Sequence, residues 1–271
     1  MTDKYAVIGN PIAHSKSPQI HAAFAKQTNQ DISYKPILAP LDGFEITVHR
    51  LIDEGYKGVN VTLPFKLQAF LLSNSLSDLA KVARAANTLT LNRKNIQGHN
   101  TDGVGLVNDI TQNLGIALQG KRVLLLGAGG AAQGVLLPLW SQNPIYIIVA
   151  NRNVDKAVEM VNGVQQQKPL PIHAYAFSDI PNEEFDIIIN ATSTGITDTA
   201  LPIPNSIFAK NCLAYEMMYG RETPFMAQAR AAGAQVADGL GMLVEQAAES
   251  FYVWRGVRPQ TAPVIAMLRT Y

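Results

Sequence analysis

The sequence is poor in the features that define several protein classes. Cys212 is the one cysteine among 271 residues, so an intrachain disulfide is excluded, and this usage fits a reducing compartment. The 22 lysines and arginines balance 21 aspartates and glutamates, and a net charge of +1 argues against a general nucleic-acid-binding protein. No run approaches the ~20 apolar residues of a membrane span, and the N-terminal segment lacks the apolar core of a signal peptide. These absences predict a cytoplasmic protein without nucleic-acid or membrane partners.

The sequence does have a large apolar fraction, 47% against 16% charged residues, which is enough for a substantial core. Strand-like and helix-like stretches alternate, a pattern that predicts parallel sheets. The first series has strands at 5–9, 34–39 and 58–63, helices at 18–27, 42–54, 65–72 and 78–85, and a hairpin at 87–99. The second series has strands at 121–127, 145–150, 172–176, 186–191, 213–217 and 235–237, and helices at 103–114, 130–142, 154–162 and 223–232.

The alternation predicts an α/β fold with two domains. Two further helices, predicted at 240–254 and 261–269, lack strands of their own, and we expect them to pack back on the first series. The first domain is then residues 1–102 plus about 240–271, and the second is 103–239.

The segment "VLLLGAGGAA" (123–132) combines a buried-strand run with the pattern G-x-G-x-x-A. Gly127 permits a tight turn, Gly129 lets the backbone approach a pyrophosphate, and Ala132 permits close packing of helix on strand. The helix that follows directs its unpaired N–H groups at the phosphates. Because a strand precedes the pattern and a helix and another strand follow it, a Rossmann-type dinucleotide site is favoured over a glycine-rich turn.

The end of the next predicted strand, "IVANRN" (148–153), indicates which dinucleotide binds. An NAD site would place an aspartate or glutamate here for the ribose hydroxyls. This chain has Asn151 and Arg152, with Lys156 one helical turn later. A carboxylate would repel a 2′-phosphate, whereas a guanidinium binds it in fork geometry, so the sequence predicts NADP. The alternative is that Arg152 is an ordinary solvated arginine.

The segment "VNVTLPFK" (59–66) predicts a strand with a polar face. Asn60 and Thr62 alternate with apolar residues and therefore share one side. Pro64 ends the strand because it has no N–H for a ladder, and Lys66 follows just beyond. We expect the polar pair and the lysine to face a substrate.

Four further polar residues accompany this segment, and each also has a structural explanation. Ser17 and Asp102 could be helix N-caps, with Ser15 left spare, and Asn87 could pair within a core. Taken together, seven such residues lie at strand or helix ends of one predicted domain, where open α/β sheets bind ligands. They are Ser15, Ser17, Asn60, Thr62, Lys66, Asn87 and Asp102. This set of hydroxyl, amide, ammonium and carboxylate groups suits a small polyhydroxylated acid.

Eight segments occur in an order that resembles the shikimate dehydrogenases over essentially the whole chain. They are "GNPIAHSKSP", "GVNVTLPFK", "AANTL", "NTDGVG", "LGAGGAA", "NATSTG", "TPF" and "DGLGMLVEQAA". The resemblance implies NADP-linked interconversion of 3-dehydroshikimate and shikimate, a step of aromatic amino-acid synthesis. It also implies a substrate domain that faces a Rossmann-type domain across a cleft, with the C-terminal helices on the first domain.

The resemblance implies specific roles for individual residues. Lys66 and Asp102 match the catalytic pair, and no metal is implied. The implied substrate contacts are Ser15, Ser17, Asn60, Thr62, Asn87, Tyr219 and Gln246. The implied cofactor contacts are Gly127, Ala128, Gly129, Gly130, Ala131, Asn151, Arg152, Thr192, Met217 and Gly241.

The sequence departs from the family pattern beside Arg152. Asn153 replaces a threonine and Lys156 replaces a second arginine, which loosens the expected hold on a 2′-phosphate without reversing the charge. Gly241 is followed directly by Met242, which leaves the nicotinamide contact open.

Two alternatives to a shikimate dehydrogenase are a quinate or dual-specificity dehydrogenase and a non-catalytic NADP-binding regulator. In the family that the chain resembles, quinate enzymes often have threonine in place of the second serine, so the resemblance implies that Ser17 favours shikimate. The presence of both Lys66 and Asp102 favours an enzyme. We expect a monomer or a homodimer.

Overall fold

The computed structural model describes residues 2–165 and 170–270, apart from the side chains of residues 195 and 196. The chain divides into two compact units. The first is Met1–Gly105 with Leu243–Tyr271, and the second is Leu106–Met242.

The elements follow the predicted alternation of strands and helices. The strands are β1 Asp3–Gly9, β2 Ile32–Leu38, β3 Tyr56–Val61, β4 Ser75–Leu76, β5 Thr88–Asn92, β6 Asn95–His99, β7 Arg122–Leu126, β8 Tyr146–Asn151, β9 Ile172–Ala176, β10 Phe185–Asn190, β11 Phe208–Glu216 and β12 Gln235–Asp238. The α-helices are α1 Ser17–Thr28, α2 Phe44–Asp53, α3 Lys66–Leu72, α4 Asp78–Ala83, α5 Asp102–Asn108, α6 Gly130–Trp140, α7 Val154–Gln165, α8 Thr194–Thr197, α9 Pro224–Ala231, α10 Leu240–Arg255 and α11 Ala262–Arg269.

The sheet of the first unit is mixed, with strand order β2-β1-β3-β5-β6-β4. β1 pairs in parallel with β2 and with β3, as helical crossovers require. The predicted hairpin is confirmed, because β5 and β6 are antiparallel and joined by a short turn. β5 is also antiparallel to β3, so the parallel pairing that the alternation predicts does not extend to β5 and β6.

The helices α10 and α11 belong largely to the first unit, as predicted. Trp254 of α10 donates a hydrogen bond from Nε1 to the Leu89 carbonyl on β5, at 3.1 Å. Arg255 pairs with Asp3 on β1. Phe251, completely buried, packs edge-on against Phe24 of α1. The C-terminal segment is therefore part of this unit's core.

The second unit has a parallel sheet in the order β12-β11-β10-β7-β8-β9. Residues 123–126 are completely buried, which is typical of a strand covered on both faces. β7 pairs with β8 on one side and with β10 on the other, so the direction of the strand order reverses beside β7. In open α/β sheets, ligands bind at the carboxyl ends of the strands at such a switch point.

Several predicted boundaries are corrected. Ser17 begins α1 and is not its N-cap; Ser15 instead accepts the Ser17 N–H on its hydroxyl oxygen, at 3.3 Å. The helix predicted at 103–114 ends as α-helix at residue 108 and continues as a π-helix over Asp109–Asn113. β11 begins at Phe208, five residues earlier than predicted. Its register with β10 shifts before Leu213, and Asn211 in this stretch has φ 65°. This irregularity interrupts the strand pattern of the sequence, so the first part of β11 was not predicted. The short strand β4 was not predicted.

Candidate active site

Lys66 and Asp102 form an ion pair in the first unit. β3 ends at Val61, three residues before Pro64, so the strand is shorter than predicted. Lys66 is the first residue of α3, and its Nζ lies 2.6 Å from Oδ2 of Asp102. Asp102 is the first residue of α5, where a carboxylate interacts favourably with the helix dipole. Their side chains are only 22% and 8% exposed. The pair is thus shielded from bulk solvent while its ammonium group keeps some access.

Asn87 holds the Asp102 carboxylate in one orientation. Its Nδ2 donates to Oδ1 of Asp102 at 2.8 Å, and its Oδ1 accepts the Thr101 N–H at 2.9 Å. Because a backbone N–H can only donate, this second bond fixes which end of the amide faces the carboxylate. Each oxygen of Asp102 therefore has its own partner, the amide on one side and Lys66 on the other.

Asn60 is bonded entirely to groups inside the first unit. Its Oδ1 accepts from the Tyr34 phenol at 2.7 Å, and its Nδ2 faces the hydroxyl oxygens of Ser250 at 2.9 Å and Thr88 at 3.1 Å. The same nitrogen also faces the Asn87 carbonyl at 3.2 Å. Burial raises the pKa of the Tyr34 phenol well above its usual value, although a hydrogen bond with Ser17 acts in the opposite direction. The Asn60 amide therefore supports the strands around Asn87.

The other predicted substrate residues of the first unit differ in how many of their polar atoms are already hydrogen-bonded. Thr62 follows β3, is half-buried, and its hydroxyl makes no hydrogen bond within the part of the chain that the structure describes. Gln246 of α10 is also half-buried, and its Oε1 lies 3.3 Å from Nδ2 of Asn87. Ser15 and Ser17 lie at the start of α1. The first unit thus joins Gln246 to Asn87 and Lys66 to Asp102. Tyr219 belongs to the second unit, where burial raises the pKa of its phenol.

In the second unit, the predicted phosphate loop follows β7. Gly127 has φ +109°, and a Cβ there would lie 3.1 Å from the Ala191 carbonyl group, so only glycine fits. Gly129 and Gly130 face open space, and Gly129 is the N-cap of α6 without a side-chain cap. Ala132, the third residue of α6, is completely buried. The first N–H groups of α6 are consequently available to an anion.

The end of β8 presents positive charge and no opposing carboxylate partner. Arg152 and Lys156 are exposed, and neither makes an ion pair within residues 2–165 and 170–270. Asn151 donates from Nδ2 to the Asn153 carbonyl at 2.8 Å, which holds the turn between β8 and α7. These groups have the chemistry of a phosphate site.

Three other predicted cofactor residues of the second unit lie in closely packed segments. Thr192 follows β10 and donates from its N–H and its hydroxyl to Oδ1 of Asn190, at 3.0 and 2.7 Å. A Cβ on Gly241 would overlap the Asp109 carboxylate, and a Cβ on Gly239 would overlap the Met217 carbonyl oxygen. No side chain would fit at either glycine.

Comparison with known proteins identifies the family. Residues 7–89 match the model described as shikimate dehydrogenase substrate binding domain, 108–198 match shikimate / quinate 5-dehydrogenase, and 239–269 match shikimate 5'-dehydrogenase C-terminal domain. A relative from Methylobacillus flagellatus named shikimate dehydrogenase (NADP(+)) is 58% identical, covering 98% of this chain and 99% of that relative. This chain belongs to the shikimate dehydrogenase family.

Solved structures extend the comparison to the fold. The shikimate 5-dehydrogenase from Thermus thermophilus, in complex with NADP(H) and shikimate, has a TM-score of 0.86 and 29% identity over 99% of both chains. An Ael1 enzyme from Pseudomonas putida has a TM-score of 0.94 and 46% identity over 98% of both chains. The predicted two-domain α/β fold with a Rossmann-type domain is confirmed.

In this shikimate dehydrogenase family member, the residue that replaces the expected threonine has an identifiable role. Asn153 precedes α7 and accepts the Asp155 N–H on its side-chain oxygen, at 2.9 Å. Asparagine is among the preferred residues at a helix start. The substitution therefore preserves the capping of α7 next to Arg152.

Sequence reasoning missed residues that shape this shikimate dehydrogenase family site without being expected ligands. A Cβ on Gly9 would lie 2.6 Å from the Thr62 methyl group, so glycine lets β1 approach that residue. Tyr34 orients Asn60, and Tyr215 donates its hydroxyl to the buried Asp109 at 2.6 Å. The polar residues at the ends of apolar strands, such as the "YE" of 215–216, were the available signal.

Residues 2–165 and 170–270 lack two further features. They contain no group of three or more histidine, cysteine or acidic side chains placed to hold a metal ion. They also contain no helix with the length and apolar character that crossing a membrane requires.

Proposed function

We propose that this protein is an NADP-dependent shikimate dehydrogenase that reversibly reduces 3-dehydroshikimate to shikimate in aromatic amino-acid synthesis. The observation that carries the proposal is the shielded Lys66–Asp102 pair, 2.6 Å apart, with its carboxylate oriented by Asn87. A non-catalytic regulator would have no need of this pair. The 58% identity to a named shikimate dehydrogenase supports the same reaction.

The chemistry assigned to Lys66 is proton transfer to oxygen. When bound, NADPH supplies the hydride to the carbonyl carbon of the substrate. Negative charge then develops on the carbonyl oxygen, and the Lys66 ammonium donates a proton to it, forming the hydroxyl of shikimate. Solvent returns a proton to the Lys66 amine. Asp102 keeps the ammonium in place through its Oδ2, and in the oxidative direction the pair accepts the proton from the substrate hydroxyl.

The remaining polar groups of the first unit are assigned to substrate binding. Ser15 and Ser17, at the start of α1, bind the carboxylate, because hydroxyls and the positive end of a helix dipole both favour an anion. Thr62, Asn87 and Gln246 bind ring hydroxyls. Asn60 acts by supporting Asn87, since its amide atoms are already bonded to protein groups. Tyr219 remains a proposed contact from the second unit.

The second unit is assigned to NADP. The α6 N-terminus and residues 127–131 bind the pyrophosphate, and Asn151, Arg152 and Lys156 bind the 2′-phosphate and its ribose. Thr192, Met217 and Gly241 contact the nicotinamide end. We assign the substrate domain to residues 1–102 plus about 240–271 and the dinucleotide domain to 103–239. The single cysteine supports a cytoplasmic location.

The test is an absorbance assay at the nicotinamide band, with shikimate or quinate and with NADP or NAD. The proposal requires turnover with shikimate and NADP. Comparable kcat/KM for quinate would instead establish the dual-specificity dehydrogenase, which the family description shikimate / quinate keeps as the second candidate. Tight NADPH binding without turnover of either acid would establish the regulator.

A further inference from the structure

Glu216 is a buried carboxylate at the end of β11 in the second unit. Its side chain is completely buried, and no ion pair involving it occurs within the part of the chain that the structure describes. Three groups donate to it: Asn190 from Nδ2 at 2.7 Å, Thr223 from its hydroxyl at 2.9 Å, and the Met218 N–H at 3.0 Å. A buried charge without a cationic partner is costly to keep, and burial raises the pKa of this carboxyl. Its presence therefore calls for a function.

The donors to Glu216 come from the segments that carry the proposed nicotinamide contacts. Asn190 uses its other end, Oδ1, to accept both the N–H and the hydroxyl of Thr192. Met218 directly follows Met217, whose carbonyl oxygen packs against Gly239. Thr223 also accepts the Met226 N–H at the start of α9. One side chain thus connects the turn after β10 with the turn after β11, at the carboxyl ends of the strands.

Both carboxylate oxygens of Glu216 must accept hydrogen bonds. The Met218 N–H can only donate. The Asn190 amide is oriented because its Oδ1 receives the Thr192 N–H, so its Nδ2 must face Glu216. An ionised carboxylate satisfies all three donors, whereas a glutamine would direct an NH₂ group at one of them. A glutamine at this position therefore breaks the connection while keeping the size of the side chain.

We propose that Glu216 is a positioning residue for the nicotinamide side of the cofactor site, holding Thr192 and Met217 in the arrangement that receives NADP. The inference rests on the proposed function, because it takes NADP as the ligand of these segments. Glu216 itself does not touch the reacting atoms in this proposal. It acts through Asn190 and through the backbone of Met218.

The test compares Glu216→Gln with a matched control at the other end of the same strands. Asp186, near the start of β10, accepts from the N–H and the guanidinium of Arg122 on β7, at 2.8 and 3.0 Å. Asp186→Asn also removes a carboxylate from this sheet, but it lies far along the strands from their carboxyl ends. Dissociation of NADPH is measured by fluorescence, KM for NADP and for shikimate by absorbance, and folding by circular dichroism.

We expect Glu216→Gln to raise the Kd for NADPH and the KM for NADP by roughly tenfold, the scale of one misplaced charged hydrogen bond. The KM for shikimate should change less than twofold. Hydrogen exchange should accelerate in peptides that cover Thr192 and Met218. Asp186→Asn should lower the stability of the protein, but its Kd for NADPH and its KM for NADP should stay within twofold of the unmodified protein's values. A purely structural role for Glu216 would instead give the two variants the same pattern.

A second variant restores the pairing. In Asn190→Asp with Glu216→Gln, the new amide at 216 faces the new carboxylate at 190, so one donor again meets one acceptor. We expect this double variant to recover at least half of the lost NADPH affinity.

The proposal is overturned if Glu216→Gln is folded and binds NADPH within twofold of the unmodified protein, or if the double variant is no better than the single one. If Glu216→Gln does not fold, Glu216→Asp decides, because it keeps a carboxylate but shortens the side chain by ~1.5 Å. A Kd for NADPH at least threefold higher then supports the proposal, and an unchanged Kd overturns it. An unmodified protein that neither binds NADPH nor oxidises shikimate would overturn the proposed function, and this inference with it.

Discussion

Replacing Lys66 by methionine should separate catalysis from binding in this protein. Methionine fills a similar volume but has no ammonium group, so the proposed proton donor is lost while α3 can still form. Loss of a general acid or base lowers rates by roughly 10²–10⁴, and we expect kcat for shikimate oxidation to fall in this range. The KM for shikimate should stay within about threefold, because Ser15, Ser17, Thr62 and Gln246 are unaffected.

The structure also bounds the effect of Lys66→Met on stability. Asp102 loses the partner of its Oδ2 at 2.6 Å but keeps the hydrogen bond from Asn87 to its Oδ1 at 2.8 Å. A carboxylate that is only 8% exposed and left with one partner costs roughly 1–3 kcal/mol of unfolding free energy. This loss is small enough that the folded variant can be assayed, and circular dichroism checks that it is folded.

Lys81→Met is the matched control for Lys66→Met. Lys81 pairs with Asp78 at 3.0 Å on α4 of the same unit, but that Asp side chain is 94% exposed. An exposed pair contributes little to stability, and Lys81 has no assigned part in the reaction, so kcat and KM should be unchanged. The assay is shikimate-dependent NADP reduction, followed by absorbance. A folded Lys66→Met variant with near-full kcat would refute the reasoning and make Lys66 an ordinary lysine.

Three further predictions concern the cofactor, the substrate and pH. The unmodified protein should have a higher kcat/KM with NADP than with NAD. Arg152→Asp should narrow or reverse this preference, because it replaces a guanidinium with a carboxylate that repels the 2′-phosphate. Equal kcat/KM for both cofactors in the unmodified protein would contradict the assignment of Arg152 to the 2′-phosphate. Shikimate should be oxidised with a much higher kcat/KM than quinate, whose additional hydroxyl must fit beside Ser15 and Ser17, and comparable values would favour the dual-specificity enzyme. Burial lowers the pKa of His21 to about 3 in the folded protein, whereas a histidine in the unfolded chain has a pKa near 6.5. Between these two pH values the unfolded chain binds more protons than the folded protein. The free energy of unfolding should therefore fall as the pH drops below about 6.5. His21→Phe, which can keep the stacking on Tyr34, should flatten this fall in urea titrations at pH 7 and pH 5, and an unchanged pH dependence would exclude His21 as its source.

The local sequence was enough to predict the features that depend only on neighbouring residues, namely strands and turns. The run before Gly127 is apolar on every residue, so it predicts a strand covered on both faces, and the glycine that follows is required by φ +109°. The same holds for the short hairpin turn that makes β5 and β6 antiparallel. The positive charge at the end of β8 could also be predicted from the sequence, because the charge of Arg152 and Lys156 does not depend on contacts with other parts of the chain.

Tertiary structure alone decided which polar groups meet. The alternation of residues 59–63 predicted that Asn60 and Thr62 share one side of a strand, but β3 ends at Val61 and only Asn60 belongs to it. The alternation also could not show that Ser250, 190 residues away, contacts the Asn60 amide. The Thr62 hydroxyl, in contrast, has no hydrogen bond within the residues that the structure describes. Nothing in the sequence was a reason to select Glu216, because its hydrogen-bond donors come from the ends of two different strands, β10 and β11, and from the segment that follows β11. A side chain's partners depend on strand order and register, which residue spacing does not specify. The sequence therefore determined which chemical groups are present, and the packing of the sheets decided which of them contact one another.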